Sequence, residues 1–359
     1  MKETRVDMLE AKSGMVLSQS VYDHYGRLLL PVDFILTPKT IMLLKLNQVE
    51  WVHVKDLLYE SNDEEDFESA RIERIRQTED FKTFERAYGH SVTIVKEAFE
   101  ELLTNDSQIN ASILSAEINR VLATSKNSIQ VFDMLHCIRD YDDTTYVHCM
   151  NVALICNVIG GWLGYQGKDI EDLTLAGLLH DIGKLMIPKE IITKPTKLSV
   201  KEYEVVKKHP HIGYEILEDE ELEEHIRLAA LEHHEKCDGS GYPYGLKREE
   251  ISEFAKIVAI ADVYDAMTAD RTYRMGLCPF DVIELFEAQG LQKYDARILL
   301  LFLEYIVASY INKQVVLSDG SIAKIIFINK HKLSKPVVAR GKQYIDLSES
   351  SSLTIKAIL

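Results

Sequence analysis

Apolar positions recur every three or four residues between about 68 and 310, as at Ile94, Val95, Ala98, Leu102 and Leu103. That spacing lays one face of an α-helix against a core. No convincing series of alternating apolar and polar positions interrupts it, so the stretch predicts an all-α bundle of many helices joined by short polar loops. The pattern differs at both ends. Residues 16–22 and 27–30 read as strands around Tyr25-Gly26. Thr37-Pro38 pairs a capping hydroxyl with a proline suited to the first helical position, which predicts a helix over 41–46, and 49–54 reads as a closing strand. Near the other end, β-branched runs at 315–317 and 322–328 flank Ser318-Asp319-Gly320-Ser321, a hairpin signal. Residues 337–338, 344–345 and 353–355 add strands. The expected class is mainly α: a helical bundle with a small α+β module before it and a small β-rich module after it. The expected divisions are 1–60 for the first module, 61–129 for an acidic linker (its charge run at 60–67) and helical connector, 130–311 for the bundle, and 312–359 for the β-rich module.

Within the bundle, polar groups stand where an apolar pattern predicts burial. Ala176, Gly177, Leu178 and Leu179 lead straight into His180-Asp181, with Ile182-Gly183-Lys184 following. A His and an Asp ending an apolar helix need each other or a metal. His148 opens a nearly all-apolar helical stretch, His209-Pro210 starts another, His233-His234-Glu235 closes a fourth, and Asp262 lies inside the apolar run 257–265. The steps from His148 to His180, Asp181 to His209, His209 to His233 and His234 to Asp262 are 32, 28, 24 and 28 residues. Each is close to one helical hairpin, so successive ligands can return to one level of a bundle. Imidazoles and carboxylates converging there suit divalent Mn, Fe or Zn, and the lack of cysteine among them argues against a structural zinc site. His211 and His225 lack that context and are read as non-ligands; His225 follows four glutamates and should be exposed.

The donor set suggests a reaction. Asp181 can bridge two cations, which would lower the pKa of a shared water and stabilise an in-line displacement at phosphorus. Lys184, one turn on, could hold a phosphate oxygen or orient the hydroxide. In the loop Asp238-Gly239-Ser240-Gly241-Tyr242-Pro243, the glycines allow close backbone approach and Tyr242 offers an aromatic face on which a base could stack. Arg271 and Arg274 stand one turn apart and suit phosphate or guanine recognition, with pairing of Arg271 to Asp265 or Asp270 as the competing reading.

Composition narrows the partners. The chain of 359 residues is 46% hydrophobic and carries a formal net charge of -16, which argues against general binding to nucleic acid polymers or to an anionic membrane. Five cysteines without a CxxC fit a reduced, cytoplasmic setting. No apolar run follows the first residues, so no signal peptide is expected. The longest apolar stretch, 152–165, is interrupted by Asn157, Gly160 and Gly161 and falls short of the roughly 20 residues a bilayer requires, so no membrane segment is expected. A homodimer is left open.

His180-Asp181, then His233-His234-Glu235 with Asp238-Gly239-x-Gly241-Tyr242-Pro243, then Asp262-Val-Tyr-Asp265-Ala-Met-Thr-Ala-Asp-Arg271, resemble the HD-GYP phosphodiesterases of the HD superfamily of metal-dependent phosphohydrolases. The resemblance covers about 130–310. It implies an HD-type helical bundle that hydrolyses cyclic di-GMP to the linear pGpG, and in some members to GMP. It implies two divalent transition metal ions, Fe or Mn, on His148, His180, Asp181, His209, His233, His234 and Asp262. The catalytic lysine falls on Lys184, and the ligand contacts on Tyr242, Asp265, Arg271 and Arg274. One departure matters: some members place a third-metal glutamate one turn before the first histidine, where this chain has Thr144, so two metals are expected rather than three. Other outcomes that remain open are hydrolysis of a different cyclic dinucleotide and a weakly catalytic, ligand-binding signalling adaptor.

Overall fold

The computed structural model describes the chain except residues 1–2, 9–10, 12–14, 23–27, 31–35, 37–39, 42–43, 45–48, 50, 59–71, 105–107, 139–143, 195, 197, 269–276 and 350–352. It divides into two compact units, Met1–Phe67 and Glu68–Leu359.

In the first unit, β5 (Trp51–Leu58) is the middle strand of an antiparallel sheet, with β1 (Glu3–Asp7) on one side and β2 (Met15–Leu17) on the other. A short ribbon pairs β3 (Val21–Tyr22) with β4 (Leu28–Leu30). Leu17, Leu36, Leu44, Val52 and Val54 form the core. The strand expected over 16–22 is two strands, and the closing strand begins at Trp51 rather than 49. β1 escaped the pattern because Val6 is its one buried apolar residue among charged neighbours. Of the helix expected over 41–46, Ile41 and Leu44 are helical and buried. The acidic run at 60–67 lies outside the described residues.

The second unit is mainly helical, as the periodicity predicts. α1 (Glu79–Thr104), α2 (Ala111–Leu122) and α3 (Ser128–Cys137) precede α4 (Thr144–Leu163) and α5 (Lys168–Leu179). A 3-10 turn over Ile182–Met186 leads to the short α6 (Lys189–Ile192) and α7 (Val200–Val206). Next come α8 (His209–Glu218), α9 (Glu224–Glu232) and α10 (Glu253–Thr268). α11 (Pro279–Leu285), a π-helical turn over Phe286–Gly290, α12 (Leu291–Lys293) and α13 (Ala296–Ala308) follow. α4 begins at Thr144, so His148 sits one turn inside the helix rather than opening it. α4 is apolar on nearly every side, as suits a helix enclosed by others. Residues Thr145–Leu163 are long and apolar enough to cross a membrane, and 72% of that stretch is buried inside the fold.

Small residues let α4 and α5 approach closely. A methyl group on Gly177 would lie 3.0 Å from the Ala153 Cα, and one on Gly160 would lie 2.8 Å from the Leu173 side chain. This contact brings the end of α5, with His180-Asp181, against His148.

After α13 a five-stranded antiparallel sheet follows in the order β10-β6-β7-β8-β9, made of β6 (Gln314–Leu317), β7 (Ile322–Phe327), β8 (Val337–Arg340), β9 (Gln343–Asp346) and β10 (Ile355–Ile358). The Asp-Gly hairpin forms as expected: Gly320 has φ +76, and Asp319 Oδ1 accepts from Ser321 N at 3.0 Å. The last strand begins at Ile355, two residues later than the pattern predicted. Val315, Leu317, Ile325 and Val338 are buried in the same apolar cluster as the helices.

Candidate metal centre

Five helices deliver the polar groups to one point. His148 comes from α4, His180 and Asp181 from the end of α5, His209 from the start of α8, His233 and His234 from the end of α9, and Asp262 from the middle of α10. All are buried except His234, which is partly exposed. Gly183 makes the convergence possible. A methyl group there would lie 2.1 Å from the His209 carbonyl oxygen and 2.5 Å from Gly213 N, so only glycine lets the turn after Asp181 lie against α8.

Hydrogen bonds dictate what the rings can do. His180 Nδ1 is 2.8 Å from the Gly177 carbonyl, His209 Nδ1 is 2.7 Å from that of Val206, and His233 Nδ1 is 2.9 Å from that of Ala230. A carbonyl only accepts, so each Nδ1 carries the proton and each Nε2 keeps its lone pair. These lone pairs face Asp181. His209 and His233 Nε2 lie 3.2 and 3.5 Å from Asp181 Oδ1, and His180 and His148 Nε2 lie 3.4 and 3.6 Å from Oδ2. Among the described residues, neither His180 Nε2 nor Asp181 Oδ1 has a hydrogen bond of good geometry. Acceptors crowded against acceptors in a buried site are costly unless a cation sits among them. The C-termini of α5 and α9 both end here, adding negative dipole ends that also favour a cation. The residues therefore fit a metal.

Asp181 divides the donors into two sets. Asp181, His209, His233 and His234 each offer an atom within 4.8 Å of the others, and so do His148, His180 and Asp262. His148 is held on both sides, with Nδ1 2.7 Å from Asp265 Oδ2 and Nε2 3.0 Å from Asp262 Oδ1.

The electrostatics agree. Burial alone would lower the His148 pKa, but its bonds to Asp262 and Asp265 outweigh that and raise it to about 9. Burial pushes His233 down to about 4, with His180 and His209 adding to the shift and Asp181 opposing it. Burial and then His233 hold His234 well below the usual range. Burial would raise both carboxyls, yet Lys184 and His180 hold Asp181 well below the usual range, and His148 does the same for Asp262. A site this rich in buried negative charge, drawing a proton onto an imidazole, suits a divalent cation.

Lys184 donates to Asp181 Oδ2. Burial disfavours its charge, but Asp181 and Asp262 prevail and its pKa is raised. Tyr242 stacks on His234 with ring centroids 4.7 Å apart, and the Lys207 amine lies 5.8 Å from the Tyr242 ring centre. Asp265, expected among the ligand contacts, is buried, with one oxygen on His148 Nδ1 and the other 2.8 Å from Asn151 Nδ2. Arg271 and Arg274, with Asp270, lie outside the described residues, as do Asp142 and Asp143. His211 is exposed and 3.3 Å from Glu215, and His225 is 3.3 Å from Asp172; neither belongs to the two sets.

Sequence reasoning left Glu235 without a role. Its buried carboxylate accepts from Tyr244 N at 2.6 Å, Gly245 N at 3.1 Å and Leu246 N at 2.9 Å, tying the loop beyond Tyr242 to the end of α9. Gly241 passes so close that an added methyl would lie 2.4 Å from the Glu235 Cα. A glutamate directly after two histidines of the candidate centre was the available signal.

Known proteins resemble this chain. Residues 112–298 match the HD domain family. The cyclic di-GMP phosphodiesterase of Pseudomonas aeruginosa is 32% identical over 224 residues, covering 59% of this chain and 54% of that protein. A 3'3'-cGAMP-specific phosphodiesterase of Vibrio cholerae is 32% identical over 199 residues, covering 55% of this chain and 38% of that protein. The chain therefore spans about half the length, or less, of these relatives. An HDG"Y"P protein from Bdellovibrio bacteriovorus has a similar fold, with a TM-score of 0.53 at 17% identity, over 85% of this chain and 99% of that one.

Proposed function

The chain belongs to the HD domain family, and from that premise we propose that it is a phosphodiesterase that uses two divalent transition metal ions, Fe or Mn, to hydrolyse cyclic di-GMP to linear pGpG, with GMP as the product of any second cleavage. The observation that carries this reading is the ring of imidazole nitrogens facing both oxygens of buried Asp181. Asp181, His209, His233 and His234 would hold one ion, and His148, His180 and Asp262 the other, with the second oxygen of Asp181, facing His148 and His180, available to the latter. When bound, the ions would supply Lewis acidity toward the phosphoryl oxygens and an activated water as nucleophile.

The side chains do the rest. Lys184, whose amine donates to Asp181, is placed to hold a phosphoryl oxygen or to orient the attacking water. Tyr242 presents an aromatic surface for a guanine, with the Lys207 amine beside it. Arg271 and Arg274 are assigned to phosphate or guanine contacts on the resemblance alone. Asp265 is assigned to orienting His148 rather than to touching substrate. Hydrolysis opens one ester: the water oxygen forms a new P–O bond as the ribose oxygen leaves and takes up a proton.

The test is to load the purified chain with Mn or Fe, supply cyclic di-GMP, and separate the products. Intact cyclic di-GMP from metal-loaded protein would sink the reading. The Vibrio relative supports a second reading, with 3'3'-cGAMP as the preferred substrate, and a panel of both dinucleotides separates the two. A pure signalling adaptor would show equal binding and output in the wild type and in Asp181→Ala.

A further inference from the structure

A buried hydrogen-bond chain runs from α1 to the metal centre. Tyr88 Oη donates to Asn151 Oδ1 at 2.6 Å. Asn151 Nδ2 donates to Asp265 Oδ1 at 2.8 Å. Asp265 Oδ2 is 2.7 Å from His148 Nδ1. All four side chains are buried. The polarity follows from chemistry. The Tyr88 hydroxyl lies 2.6 Å from the Asn151 oxygen and 3.3 Å from the Val147 carbonyl, so the shorter bond takes its proton and the Asn151 amide nitrogen faces Asp265. A carboxylate so placed accepts from His148 Nδ1–H, which makes Nε2, on the side of Asp181 and Asp262, the nitrogen that would ligate a cation once the cation displaces its proton.

The arrangement is particular to His148. His180, His209 and His233 anchor Nδ1 on backbone carbonyls. Of these four histidines, His148 alone anchors it on a side chain, and that side chain is in turn held by Asn151, which Tyr88 holds. Tyr88 also lies outside the family match, which begins at residue 112. The α1 helix therefore adds to the centre something the matched stretch does not contain.

We propose that Tyr88 and Asn151 are positioning residues for the ion on the His148 side: they fix the tautomer and angle of His148 through Asp265, so that α1 sets how tightly that ion is held. This rests on the two-metal reading above. Partners of metal-binding histidines typically change affinity by roughly 10–100-fold when removed, and Tyr88, two hydrogen bonds beyond Asp265, belongs at the lower end.

The experiment uses the full chain as wild type, Tyr88→Phe and Asn151→Ala. Manganese bound per chain is measured by elemental analysis against graded free Mn, and thermal unfolding of metal-free protein is recorded alongside. Tyr88→Phe removes one oxygen and retains the ring, which stacks on Phe84 at 5.8 Å. The expected result is about tenfold weaker binding of one ion of the two, with the other unchanged, and the same ion affected at least as strongly in Asn151→Ala. Two wild-type affinities in Tyr88→Phe, with or without a lower melting temperature, would leave Tyr88 only a packing role and overturn the proposal. A wild type that binds two ions separates that outcome from failure of the metal reading; a wild type that binds none overturns both.

Discussion

The two sides of Asp181 are held by different kinds of anchor. Facing Oδ1, His209 and His233 are oriented by the carbonyls of Val206 and Ala230. Facing Oδ2, His180 is likewise oriented by Gly177, but His148 depends on Asp265, Asn151 and Tyr88. A backbone acceptor moves only with its helix, and no substitution deletes it. A side-chain acceptor can be lost in one mutation or shifted by movement of another helix. One side of the centre is thus a consequence of helix geometry, while the other is open to adjustment.

The strongest challenge to this division is Asp181→Ala, which removes the carboxylate both sides share. A metal ion contributes several kcal/mol to such a reaction, so hydrolysis should fall about 10³-fold or more, with bound metal near zero by elemental analysis. Two retained ions would show that Asp181 is not shared. Lys184→Met should instead lower kcat by about 10²–10³-fold, the usual effect of removing one fixed donor to developing charge, with metal content unchanged. A parallel loss of metal would reassign Lys184 to assembling the site.

Asp265→Asn sharpens the contrast between the anchors. It should weaken only the ion beside His148, by about 10–100-fold. A raised KM with both ions in place would restore Asp265 to substrate contact. Gly183→Ala probes the geometric side, since the added methyl meets the His209 carbonyl at 2.1 Å. It should cost about 1–3 kcal/mol or more in denaturant unfolding, and metal held by His209 should be lost before metal held by His148. The smallest effect is expected for Lys207→Met, at the rim near Tyr242. Loss of a cation–π neighbour worth about 0.5–1 kcal/mol should raise KM roughly two- to fivefold; an unchanged KM would remove Lys207 from the substrate surface.

Legibility followed locality. The long helices were readable because their burial pattern repeats every few residues, and the hairpin at Asp319-Gly320 because a glycine with φ +76 is a local requirement. β1 was not, because its pairing with β5 joins residues about 50 apart in the chain and only Val6 marks its buried side. The start of α4 lies a turn earlier than the nearly all-apolar stretch that His148 opens, because Thr144 to Val147 form the helix's first turn.

By itself, the sequence determined that His180-Asp181 and the other histidines and carboxylates would lie at the ends and interiors of apolar helices. Helix period and residue type are properties of short stretches, and a buried polar group advertises that it needs a partner. Only the tertiary structure decided how those groups divide. The bonds from His148 to Asp265 and from Tyr88 to Asn151 span 117 and 63 residues. They exist because α1, α4 and α10 pack side by side, and no local pattern records which face of one buried helix meets which face of the next.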